Sequence, residues 1–296
     1  MKITVTGSLG HISLPLTQTL VQQGHAVTVI SSNPEKQKDI EALGATAAIG
    51  SLEDIDFLTA AFTGADAVYT MIPPKNYFDH SLDLVAFYNQ VARNYAQAIK
   101  ESGVTRVVHL SSIGAHLDKG TGLILGHHGV ERILDTLSDV AITFMRPTAF
   151  FYNLFAFLKP IKNTGTMAAN YGADDTVSWV SPLDIAVEVA DEIATPLVGR
   201  KVRYVASDEL TCNEVARILG EAIGKPDLKW TVISDEQMLS GFHAIGMGPK
   251  IAADFVALNA SMHRGELFND YNLNRPVLGR VKLTDFAKEF AAAFNQ

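Results

Sequence analysis

At 296 residues the chain is long enough for one large or two medium domains with a sizeable core. Apolar residues make up 47% and charged residues 19%; the net charge of -8, without a Lys/Arg cluster, excludes the basic face that nucleic-acid binding requires. The single cysteine, Cys212, excludes an internal disulfide, and no apolar run reaches the roughly 20 residues of a membrane span or forms a signal core. A cytoplasmic protein without a membrane or nucleic-acid partner is therefore expected.

The first half alternates strand and helix signals. Ile3–Val5 reads as a strand, His11–Gln23 as a helix stopped by Gly24, and Ala26–Ile30 as a second strand. Asn33-Pro34-Glu35 starts a helix to Leu43; Ala45–Ile49 is the third strand and Asp54–Phe62 the next helix. Asp66–Ile72 is a fourth strand, halted by Pro73-Pro74, and a long helix is expected from about Asp79 to Ser102. Arg106–Leu110 and Ala141–Met145 are the fifth and sixth strands, flanking a helix over Gly126–Leu137. Short, continuously apolar strands between amphipathic helices make a doubly wound parallel sheet, an α/β Rossmann-like fold.

After Pro147 the rhythm changes. An aromatic-rich stretch, Thr148–Leu158, precedes a loop-like segment, Thr164–Asp175. Ser181-Pro182 caps a helix to about Ile193, Lys201–Val205 reads as another strand of the sheet, and Thr211-x-x-Glu214 has capping-box spacing. Trp230–Ile233 is a short strand, and Asp235–Gln296 is mostly helical. Residues 1–150 are read as a dinucleotide-binding domain. Residues 151–296 are read as a smaller, mostly helical substrate region, with parts returning to the sheet.

The chemistry starts at Gly7-x-x-Gly10 behind the first strand. A glycine turn into a helix N-terminus lets phosphate oxygens reach the N–H groups around Leu9, Gly10, His11 and Ile12. Ser13 stands where a third glycine is usual. No acid follows the second strand to hold a ribose 2′-OH; Ser32, Asn33 and Lys36 stand there, which favours NADP while leaving NAD open. Asn33 also reads as a helix N-cap. Met71, Ile72 and Pro73 open from the fourth strand toward the cofactor, and Ser51 flanks the adenine. Ser111 and Ser112 end the fifth strand, facing the ligand crevice, and Pro147 ends the sixth. Phe150, Tyr152 and Asn153 are expected to wall the nicotinamide and substrate. Phe242, His243 and Met247 are expected in a lid. The scattered histidines lack metal-ligand spacing, and no metal is expected.

Gly7-x-x-Gly10, Ser32-Asn33-Pro34, Ser111-Ser112, His127-x-x-x-Glu131, Arg146-Pro147 with Asn153, and Ser181-Pro182-Leu183-Asp184 together resemble the NmrA-like group of atypical short-chain dehydrogenase/reductases. Within that group the sequence is most similar in pattern to NAD(P)H-dependent quinone oxidoreductases and triphenylmethane reductases. The Tyr-x-x-x-Lys pair of ordinary short-chain dehydrogenases is missing. His127 and Glu131 stand in its place, one turn apart on a helix face, where Glu131 would orient His127 or raise its pKa.

The resemblance implies hydride transfer from NAD(P)H to a small planar acceptor such as a quinone, with water, His127 or Ser112 supplying the proton. The alternative is a non-catalytic NAD(P) sensor that binds a protein partner. A sugar-nucleotide epimerase or dehydratase is disfavoured by the missing tyrosine. Oligomeric state stays open.

Overall fold

The computed structural model describes residues 1–296. Its first half runs β1 (Lys2–Val5), α1 (Ser13–Gln22), β2 (Ala26–Ser31), α2 (Gln37–Ala42), β3 (Thr46–Ile49), α3 (Ile55–Phe62), β4 (Ala67–Met71), α4 (Leu84–Ser102), β5 (Arg106–Leu110), α5 (Ile124–Leu134) and β6 (Ala141–Pro147). The second half continues with β7 (Ala149–Phe150), α6 (Leu158–Thr164), β8 (Met167–Ala169), β9 (Thr176–Val180), α7 (Pro182–Ala194), β10 (Arg200–Val205), β11 (Asp208–Thr211), α8 (Cys212–Ala222) and β12 (Trp230–Val232). Four helices close the chain: α9 (Asp235–Ala244), α10 (Pro249–His263), α11 (Asn269–Leu273) and α12 (Leu283–Phe294). No helix is long and apolar enough to cross a membrane.

Seven parallel strands form one sheet in the order β10-β6-β5-β4-β1-β2-β3. Strand order reverses between β1 and β4, which opens a crevice at their C-terminal ends. The central strands β4 and β5 bury both faces, because side chains alternate and helices cover the sheet on either side. Val5, Val29 and Val108 pack with Leu16 and Leu20 of α1 and Val189 and Ile193 of α7. Val68 and Val107 pack the other way, with Leu58 and Phe62 of α3, Tyr95 and Ile99 of α4, and Val130 of α5.

The chain after residue 150 adds two elements to this sheet. Edge strand β10 pairs in parallel with β6, and α7 lies beside α1. Glu192 of α7 is fully buried, where a lone carboxylate would be costly. It accepts from Arg106 of β5 (3.1 Å), Thr143 of β6 (2.8 Å) and Lys201 of β10 (2.7 Å). The remaining second-half elements surround a separate core of Trp179, Trp230, Phe151, Tyr271, Phe286 and Phe290.

Several boundaries differ from the sequence reading. The helix expected from Asp79 starts at Leu84, capped by Asp83. The Asn76 and Asp79 side chains accept from the backbone N–H groups of Phe78 and Ser81, holding turns that compete with helix. The helix expected from Gly126 starts at Ile124. Thr164–Asp175 is not all loop: it contains β8, which pairs with β12. The strands β9 and β11, an antiparallel pair, were not expected from the sequence.

Candidate functional site

The loop between β1 and α1 is unusually contorted. Gly7 has φ +90°, and Ser8 follows at φ +53°, a region non-glycine residues seldom occupy. A Cβ on Gly7 would lie 2.5 Å from Ser13 Oγ, and one on Gly10 would lie 3.1 Å from the Gly7 carbonyl oxygen. Ser13 Oγ donates to the Thr6 carbonyl at 2.8 Å, so the residue replacing the third glycine ties helix to strand. No side chain caps α1, and no acid sits in its first turn. The backbone N–H groups of Leu9, His11 and Ile12 find no acceptor within the protein. Free N–H groups at an uncapped helix start, behind glycines that admit close approach, fit a pyrophosphate.

These residues open onto a cleft of about 340 Å³ at the switch point. Gly7, Gly10, His11, Ile12, Ser32 and Ser51 line it, as expected from the sequence, and so do Met71, Pro73 and Tyr152. At the end of β2 Ser8 Oγ donates to Ser31 Oγ (2.9 Å), which also accepts from the Asn33 N–H (3.2 Å). At the opposite end the rings of His11 and Tyr152 stack at 5.0 Å, and Phe150 stacks on the far side of Tyr152 at 4.9 Å.

The other expected residues lie outside the cleft. Asn33 caps the turn at Glu35 with its side-chain oxygen (2.9 Å), and Lys36 turns to Asp39 (3.3 Å). Leu9 and Ile72 pack into the two sides of the core, and Pro147 is buried in β6. Phe150 reaches the cleft through Tyr152 alone, Asn153 is exposed, and Ser112 is half-buried beyond the β5 end. Met247 joins a small cluster with Ile251, against which Phe242 and Tyr77 pack.

The expected pairing of His127 with Glu131 is not formed. Glu131 is gripped by Arg146, whose Nε donates to Oε1 (2.9 Å) and Nη2 to Oε2 (2.6 Å). Ser111 Oγ donates to the same Oε1 at 2.5 Å, so Ser111 serves Glu131 and does not face the cleft. Arg146 extends the network to Asp270 (3.2 Å), which also accepts from Tyr204 (2.5 Å). A buried bidentate pair satisfies both charges, and that geometry outcompetes a one-turn helix contact.

His127 instead packs edge-on against Tyr88, with ring centroids 5.1 Å apart and Nδ1 buried without a partner. Burial pushes its pKa down to about 4, the opposite of the rise expected beside a carboxylate. Beneath it, His109 Nδ1 contacts Thr70 Oγ1 at 2.9 Å, and burial, with His127 nearby, pushes His109 down to about 3. Burial, reinforced by Tyr77, pushes Tyr152 up to about 12. All these groups are neutral at pH 7.

Among the cleft residues that sequence reasoning missed are its two charged ones, Glu53 and Lys75. They follow β3 and β4, and nothing in their local pattern marks them. No group of three or more His, Cys, Asp or Glu side chains forms a metal-ligand set.

Residues 7–153 match the NAD(P)H-binding family. Over its whole length the chain is similar to the NAD(P)H azoreductase of Xenophilus azovorans, 27% identical over 298 residues and covering 99% of each chain. In structure it resembles an NADPH-dependent quinone oxidoreductase from Escherichia coli solved with NADPH, with a TM-score of 0.82 and 20% identity over 97% of this chain and 99% of that one. It resembles the triphenylmethane reductase of a Citrobacter species similarly, with a TM-score of 0.80 and 20% identity over 99% of this chain and 100% of that one. Residues 7–153 thus carry the match to the NAD(P)H-binding family, and the whole chain shares the fold of the quinone oxidoreductase and the triphenylmethane reductase.

Proposed function

We propose that the protein is an NADPH-dependent reductase of small, planar, electron-poor acceptors such as quinones and azo compounds. The observation that carries this reading is one cleft with an uncapped helix start in its floor and the His11–Tyr152–Phe150 ring stack at one end. The names of the relatives, an azoreductase and a quinone oxidoreductase among them, support the acceptor class.

Each group has a task in this reading. The N–H groups of Leu9, His11 and Ile12 hold the pyrophosphate. Ser32 faces the ribose at the end of β2, where no carboxylate stands to repel a 2′-phosphate, so NADP is preferred over NAD. When bound, the cofactor supplies the hydride. Tyr152 and His11 present flat faces against which an aromatic acceptor packs.

Two-electron reduction needs one hydride and one proton. With His127 near 4 and Tyr152 near 12, neither is a matched acid at neutral pH, so water delivers the proton. That suits acceptors that spread the incoming negative charge over conjugated oxygen or nitrogen, and it disfavours isolated ketones. The test is NADPH oxidation by purified protein with a panel of quinones and azo dyes. Turnover is expected with several of them; none with any acceptor would sink the proposal.

A second reading, a cofactor sensor acting through a protein partner, is favoured by the same lack of a matched acid. Tight NADPH binding without oxidation of any acceptor, together with specific capture of one protein, would establish it.

A further inference from the structure

Tyr77, Tyr88 and Tyr152 come from three separate segments: the loop after β4, helix α4 and the stretch after β7. Ring packing fixes each of them. Tyr152 stacks between His11 and Phe150, Tyr77 meets Phe255 of α10 edge-on at 5.3 Å, and Tyr88 meets His127 of α5 edge-on at 5.1 Å. Gly126 admits the Tyr88 ring, which would lie 2.6 Å from any Cβ there. The three phenols are neighbours. Burial raises the pKa of Tyr88, with Tyr77 and Tyr152 adding to it, and Tyr77 adds in the same way at Tyr152.

Their hydroxyls have no hydrogen-bond partner in the protein. Tyr95, Tyr204 and Tyr271, by contrast, donate to a carbonyl or carboxylate oxygen at 2.8, 2.5 and 2.6 Å. The three free hydroxyls stay open to solvent, whereas Tyr69 Oη is sealed off. His127 adds a fourth donor. Its Nδ1 is buried without a partner, while Nε2 is open. A proton on Nδ1 would be buried with no acceptor, so the neutral ring carries its proton on Nε2 and presents an N–H.

No charged side chain acts on Tyr88, Tyr152 or His127. Uncharged donors grouped beside the cleft, with no anion to satisfy them, complement negative charge that develops during a reaction.

We infer that Tyr88 and His127, with Tyr77 and Tyr152 beside them, hold the oxygen of the acceptor as it gains negative charge. The inference rests on the reductase reading above and deepens it by naming what stabilises the reduced acceptor. The hydride enters the conjugated ring, the electron pair of the carbonyl moves to its oxygen, and Tyr88 Oη–H and His127 Nε2–H hydrogen-bond to that oxyanion while keeping their own protons. Water then protonates it. The arrangement favours quinones over azo compounds, because a quinone places the new charge on an exposed oxygen.

The test is titration of the full chain, saturated with NADPH, with 4-nitrophenol at neutral pH, read by the phenolate absorbance. This probe is a planar ring with one oxygen that carries the charge. Wild-type protein binds the phenolate about tenfold more tightly than the neutral phenol, because hydrogen bonds to a charged oxygen are the stronger kind. Tyr88→Phe and His127→Leu each remove most of that preference. Each also lowers kcat for quinones about tenfold, and for azo dyes by less, with KM nearly unchanged, because the contact forms as charge develops. Tyr88→Phe keeps the ring that packs on His127, so its effect is separable from a folding defect. Equal affinity for both forms of the probe in the wild type, or a preference unchanged in both variants, overturns the inference. So does a loss confined to KM, which would leave these residues a binding surface alone. Wild-type protein that oxidises NADPH with no acceptor overturns the proposed function, and this inference with it.

Discussion

The two halves of the molecule build their contacts in opposite ways. Around α1 the site is made of backbone: free N–H groups, two glycines and a serine that ties helix to strand. Where the second half meets the sheet, contacts are made by buried charge. Arg146 clasps Glu131 and Asp270, and Glu192 collects Arg106, Thr143 and Lys201. Backbone sites tolerate change in the surrounding side chains but not added bulk. Charge networks tolerate conservative bulk but not the loss of one partner.

The largest expected effect breaks the second kind. Arg146→Met leaves Glu131 buried without its cation and lowers unfolding stability by about 3–5 kcal/mol, measured by urea denaturation. Adding Glu131→Leu recovers much of that loss. If the double variant is no more stable than the single one, the charge account of this junction fails.

Next comes the backbone half. Gly7→Val forces a side chain onto Ser13 Oγ at a positive φ, and reductase activity drops about a hundredfold. Loss of NADPH affinity by titration should accompany it while Arg146 contacts and far-ultraviolet circular dichroism persist. A smaller change tunes the same half: Ser32→Asp shifts the NADPH-to-NADH affinity ratio toward NADH by about tenfold. Equal effects on both cofactors would show that Ser32 does not face the ribose.

A fourth test varies pH. His109 and His127 have folded pKa values near 3 and 4, below their ordinary 6.5. Between those values and 6.5 the unfolded chain binds more protons than the folded one. The stabilisation is therefore complete above about 6.5 and is lost as pH falls toward 4. Melting temperature should decline from pH 7 to 5, and His109→Gln should flatten that decline. An equally steep decline in the variant would assign the acid sensitivity elsewhere.

What could be read from the sequence follows the same division. The six strands from β1 to β6 were legible because each is a short apolar run beside a helix with a recognisable stop. The glycine turn between β1 and α1 was legible because its residues lie within seven positions of one another. Strands β9 and β11 were not, because their pairing joins residues about thirty positions apart in a region without clear alternation. The misplaced partner of Glu131 has the same origin. Reasoning along one helix offered His127, while the fold delivered Arg146 from a neighbouring strand. Lys75 and Glu53 escaped notice because only the folded loops bring them together.

Strand β10 has a consequence for how the protein can be cut. A chain ending at residue 153 would keep the whole NAD(P)H-binding match and lose β10 and α7. It would bare the backbone edge of β6, strip the cover from Val108 and Val5, and strand Arg106 without Glu192. Such a fragment is expected to aggregate when expressed alone. The recognisable unit of ancestry is therefore not a unit of folding, and exchange of cofactor modules between relatives would have to carry α7 and β10 along.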